Sequence, residues 1–173
     1  MDAWVNDFGQ AQYQTWRSIT VWQNPNNFAE VGWVTSGAMF SDQNAHPYKS
    51  RENNGTFQQI TYPGVNITPL VDFHRFVVRD TDDDNYYSSS WDGNVLGGDW
   101  FVTVNASAAM SQVQSERACN SDSLGAKFQL LKYWDVGTNL NDWANKYNNV
   151  NYNNSPYQYC YISQTAFNVL QTC

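Results

Sequence analysis

Basic residues are scarce in this chain: nine Lys and Arg in 173 residues, scattered and never in a run, against sixteen Asp and Glu. A phosphate backbone needs clustered cations to neutralise it, so the net charge of −7 argues against nucleic acid as a partner. The same scarcity argues against an anionic membrane surface. No apolar stretch approaches the roughly 20 residues that span a bilayer, so no membrane span is expected. Histidine is limited to His46 and His74, far apart and without a Cys or His partner at zinc spacing, and no cofactor is expected. No G-x-S-x-G elbow marks a serine nucleophile. Glutamate occurs only at Glu30, Glu52 and Glu116, so any pair of glutamates that does chemistry draws on these three.

Aromatic residues make up 16% of the chain, more than all charged residues together at 14%, and Asn, Ser, Thr and Gln fill the polar positions. Such a surface stays in solution through hydroxyls and amides and offers flat ring faces to ligands. The length fits one domain over 1–173, large enough to bury a core without metals or disulfides as obligatory staples.

Short β-branched and aromatic runs recur between turn signals. Arg17 to Trp22 and Phe28 to Thr35 form a hairpin around Gln23-Asn24-Pro25-Asn26-Asn27, and Thr56 to Tyr62 ends at Pro63-Gly64. Phe73 to Asp80, the polar turn Thr81 to Asn85, and Tyr86 to Trp91 read as a central hairpin, with Asp92-Gly93 supplying the positive φ of a second tight turn. Further strands are expected over Trp100 to Asn105, Ser111 to Ala118, Lys127 to Trp134 and Tyr157 to Val169. Ser36 to Asn54 loses periodicity and reads as a long surface loop. Asn139 to Tyr147 reads as a short helix, with Asn139 or Asn141 as its N-cap. Many short strands with no repeat or linker point to an all-β, two-sheet antiparallel sandwich with one short helix.

Met1-Asp2-Ala3-Trp4 lacks the charged start and apolar core of a signal peptide, and the expectation is a mature secreted protein carrying an added Met. Cys160 and Cys173 are spaced to close a C-terminal loop in an oxidising compartment, which leaves Cys119 unassigned.

Three constellations are candidates for chemistry. By period-2 alternation Glu116 shares the polar face of its strand with Gln112 and Gln114, and Glu30 opposes Val31 and Trp33. If the two strands are neighbours, Glu30 and Glu116 share a cleft as an acid-acting catalytic pair, for peptide or glycoside hydrolysis. Asp80, Asp82 and Asp84 alternate as hard Ca²⁺ ligands do, although a solvated hairpin turn is the stronger reading of them. Trp22, Trp33 and Trp100 lie in apolar strand patterns and read as packing residues. Trp91 with Asp92, Trp134 and Trp143 stand among polar residues and are candidate stacking platforms for a sugar ring.

The segment His74 to Gly97 resembles the laminin-G and concanavalin-A-like jelly rolls at His74, Val77, Asp80, Asp92-Gly93, Leu96 and Gly97. That resemblance implies a jelly-roll-like sandwich in a superfamily of lectins, carbohydrate-binding modules, glycoside hydrolases and lyases. A shorter stretch, Ser18 to Trp22 with Asn27-Phe28-Ala29-Glu30-Val31-Gly32-Trp33, resembles the neprosin family of glutamic peptidases. That likeness implies a catalytic role for Glu30, although Val31 replaces the usual Ala. The family's second Glu follows two glycines, whereas Glu116 lies in Ser115-Glu116-Arg117.

The expectation is therefore a secreted, lectin-like recognition protein whose partner is a polysaccharide or glycoconjugate, its oligomeric state left open. A hydrolase built on Glu30 and Glu116 is the alternative. A structural subunit of an extracellular assembly is a third.

Overall fold

The computed structural model describes residues 2–7, 14–36, 40, 42, 44–68, 72–104, 110–117, 126–134, 139–143, 158–163 and 165–170. Fourteen strands run through them: β1 (Asp2–Asp7), β2 (Gln14–Asn24), β3 (Asn27–Ser36), β4 (Ala45–Asn53), β5 (Thr56–Thr61), β6 (His74–Asp80) and β7 (Tyr86–Trp91) in the first part. The rest are β8 (Asn94–Val95), β9 (Trp100–Phe101), β10 (Met110–Arg117), β11 (Ala126–Trp134), β12 (Leu140–Asp142), β13 (Gln158–Ser163) and β14 (Ala166–Leu170). All pair antiparallel in two sheets. The larger runs β13-β14-β11-β1-β6-β7-β8, with β12 on β11 and β9 on β7, and the smaller runs β10-β2-β3-β4-β5.

The sheets face each other across one core. Ile19, Val31 and Trp33 of the five-stranded sheet meet Val5, Phe76, Val78 and Phe128 of the other, all at most 1% exposed. The Trp33 and Phe76 rings lie 5.5 Å apart. Removing this apolar area from water is the main force that joins the layers, and period-2 alternation sends the intervening residues to the outer faces.

Tight turns set the register. Asn54-Gly55 and Asp92-Gly93 have positive φ at both residues, the conformation of a two-residue hairpin whose twist matches its strands. At the β6–β7 turn, Asp80 accepts the backbone N–H groups of Asp82, Asp84 and Asn85. Asp92 accepts from Arg75 N and from His74 Nδ1 at 2.8 Å, fixing the start of β6 to the end of β7.

Three expectations are corrected. The short helix does not form where the structure describes its segment, since Leu140–Asp142 is a strand on β11 and residues 144–147 lie outside the described set. Ser36 to Asn54 is not one long loop, because Ala45–Asn53 is the central partner of β3 and β5. This strand hides from pattern reading because both faces are polar. Its inner-face Lys49 and Arg51 are covered by residues 97–101, where they donate to the Gly98 and Phe101 carbonyls and flank the Trp100 ring. Burial pushes the Lys49 ammonium below its ordinary range. Finally, the C-terminal stretch is a hairpin of two strands rather than one. Cys160 on β13 is disulfide-bonded, and Cys119 and Cys173 lie outside the described residues.

Tyr87 faces the core, and its phenol is pushed up from 10.0 to about 12, first by burial and then by Asp80 and Asp83. The folded state therefore holds this proton more tightly than the unfolded chain. The stability it contributes is complete below pH 10 and is lost as pH rises towards about 12. Tyr87→Phe is expected to flatten the alkaline fall in unfolding midpoint over that window. An unchanged slope in urea melts across it would contradict the assignment.

Candidate functional site

The outer face of the five-stranded sheet carries a cleft of about 380 Å³, within the range of small-ligand sites. Register explains its composition. One row across the sheet reads Gln112, Thr20, Glu30, Ser50, Gln59, and the next reads Gln114, Ser18, Gly32, Tyr48, Thr61. Beyond the first row lies a third of Met110, Trp22, Phe28, Glu52 and Phe57. Beyond the second, Glu116, Trp16, Val34 and His46 align. A polar floor thus runs between Trp16 at one end and Trp22, Phe28 and Phe57 at the other. The two tryptophans are six positions apart along β2, roughly 20 Å at strand rise.

Glu30 is the centre of the floor, 7% exposed. Its Oε1 accepts from Tyr48 Oη at 2.7 Å and Ser50 Oγ at 2.8 Å. Its Oε2 accepts from Gln114 Nε2 at 2.6 Å and from Ser18 Oγ and Thr20 Oγ1, both at 3.1 Å. Five donors on a group with about four lone-pair positions leave no acceptor site vacant. All five are neutral, and none of the described Lys, Arg or His side chains pairs with this carboxylate. The cations of strands β2 and β4, namely Arg17, Lys49 and Arg51, stand at the opposite alternation and belong to the inner side of the sheet.

Gly32 makes the floor possible. A Cβ there would lie 2.8 Å from Ser18 Cα and closer still to the Arg17 carbonyl, so β2 and β3 approach closely only because no side chain intervenes. The approach brings Ser18 and Thr20 onto Glu30 from β2 while Tyr48 and Ser50 reach it from β4.

The structure brings together one part of the residue set expected from sequence. β2 runs between the strands of Glu30 and Glu116, and Glu116 pairs in register with Trp16, four residues along β2 from the Thr20 row. The amide of Gln114 is the β10 group at the carboxylate. Trp91 is half-buried, packs on the core and lies 6.2 Å from the His74 ring. Trp143 also packs on the core. Asp92 is engaged by His74 and Arg75. Trp91, Asp92 and Trp143 therefore do not join the cleft, and Trp134 belongs to β11, on the larger sheet. Among the expected packing tryptophans, Trp33 is fully buried, whereas Trp22 lines the cleft.

At the Asp turn, the Asp80 carboxylate is taken up by backbone amides and Asp84 Oδ1 accepts from Tyr86 N. Among the described residues no three His, Cys, Asp or Glu side chains converge as a metal set, and no helix is long and apolar enough to cross a membrane. Tyr48, Ser50, Gln59 and Phe57 were missed as site residues. Period-2 alternation of β4 and β5 would have placed all four on one face had β4 been recognised.

Neither a protein-family model nor a curated protein matches the chain.

Proposed function

We propose that this chain is an extracellular recognition protein that binds a polysaccharide or glycoconjugate in the Glu30 cleft. The observation that carries the reading is the lining. Gln59, Gln112 and Gln114 offer amides to sugar hydroxyls, between rings that take the apolar C–H faces. The disulfide at Cys160 fits an oxidising compartment. The resemblance of His74 to Gly97 to lectin-type jelly rolls adds to the reading.

A hydrolytic role for Glu30 is less well supported. An acid–base carboxylate needs a lone pair or proton to exchange with substrate, and the five protein donors already occupy the acceptor positions.

Titration with a panel of soluble polysaccharides, followed by tryptophan fluorescence, tests the proposal. A binding glycan is expected to perturb Trp16 and Trp22, and Trp22→Ala or Phe57→Ala to weaken it about tenfold, the scale of one lost ring contact. Trp91→Ala is expected to leave affinity unchanged. No response to any glycan, or a loss confined to Trp91→Ala, would remove the cleft from consideration.

A further inference from the structure

We infer that the cleft selects a ligand carrying a protonated amine, and that its polysaccharide is one of free amino sugars rather than neutral or N-acetylated units. This inference rests on the glycan reading above and narrows it.

The argument begins with charge placement. Strands β2 to β5 place Arg17, Lys49 and Arg51 at inner-face positions and Glu30 and Glu52 at outer-face positions. Among the described residues, Glu30 is the one formally charged residue that lines the cleft, and Glu52, in no ion pair with any of them, lies one register row beyond Ser50 towards Phe28 and Phe57. Five neutral donors orient the Glu30 carboxylate without cancelling its charge. The cleft therefore presents a fixed negative field to whatever enters.

The kind of cation follows from the hydrogen bonds. A hard metal ion binds bare oxygen lone pairs, and here protein donors occupy them. An organic ammonium needs no vacant lone pair on the carboxylate. It gains from the field at a distance of several ångströms and from the faces of aromatic rings, the two things this cleft supplies. Trp16, Trp22, Phe28 and Phe57 surround the floor, with the Phe28 and Phe57 centroids 6.4 Å apart. Repeated amines along an extended chain would also meet Glu52, which a single small cation would not.

The test compares a glucosamine oligosaccharide with its N-acetylated counterpart of equal length. Both are titrated into the intact protein by calorimetry, below the pH at which the amine loses its proton. The free amine form is expected to bind about tenfold more tightly, and its advantage to shrink as salt is raised. Glu30→Gln is expected to abolish the preference. Because that change also disturbs the five donors, Glu52→Gln serves as the second variant, at a side chain with no such network, and is expected to lower the free amine's affinity about threefold. Equal or tighter binding of the N-acetylated form, or a salt-independent preference, would overturn the inference while leaving the glycan reading intact. Binding of neither oligosaccharide would overturn both the inference and the glycan reading.

Discussion

Gly32→Ala is expected to destabilise the protein by about 3 kcal/mol, at the upper end of overpacking effects. The added methyl would meet the Ser18 Cα and the Arg17 carbonyl, both backbone atoms that no rotamer change can move aside. Relief requires β2 to shift away from β3, and β2 carries Ser18 and Thr20, so ligand affinity should fall with stability. Gly64→Ala is the control, since nothing lies within 4 Å of a Cβ built there. A change within about 0.5 kcal/mol is expected for it. Urea melts of the two variants decide the matter, and equal midpoints would mean that the close approach at Ser18–Gly32 is not a constraint.

The second large effect is expected at Glu30. Glu30→Ala leaves Tyr48, Ser50, Ser18, Thr20 and Gln114 aimed at one vacated point, and buried donors that lose their acceptor cost about 1–3 kcal/mol each before relaxation. Hydroxyls rotate and water can enter an open cleft, so the net loss should be about 2–4 kcal/mol rather than the sum. Pairing the change with Gln114→Ala separates stability from coupling. The two losses should be clearly less than additive, because Gln114 Nε2 and Glu30 Oε2 form one contact at 2.6 Å. Strict additivity in denaturant melts would show that the contact contributes nothing.

Neither effect is visible in the local pattern, and the reason differs between them. Glu30 stood out in the sequence because glutamate is rare and because its neighbours alternate cleanly. Its partner did not. Alternation put Gln112, Gln114 and Glu116 on one face, but which of them meets Glu30 depends on how β10 is registered against β2 and how β3 lies beyond, and those are non-local facts. Trp91 misled for a related reason. Its neighbours Ser88 to Ser90 are polar, but Tyr87, Ser89 and Trp91 share one side of β7, and Tyr87 and Ser89 are buried.

The polar strand β4 was illegible because a pattern reader expects an apolar face. Lys49 and Arg51 are shielded by a segment about fifty positions downstream, which accepts their hydrogen bonds and stacks Trp100 on their charges. The β11 alternation conceals a different device. The β1–β11 register slips between Asp2 and Trp4, and Leu130 has φ 51, so a bulge turns Leu130 outward beside fully buried Leu131.

The amino-acid sequence by itself determined the fold class, most strand positions and the tight turn at Asp92-Gly93, because these follow from short-range sterics and period-2 burial. It also determined the acidic, aromatic character of the surface. Tertiary structure alone decided which side chains share the cleft, since strand order and register place Ser18, Tyr48, Ser50 and Gln114 around Glu30 from three different strands. A carboxylate becomes the centre of a site through neighbours distant in the chain, and only the assembled sheet brings them within hydrogen-bond reach.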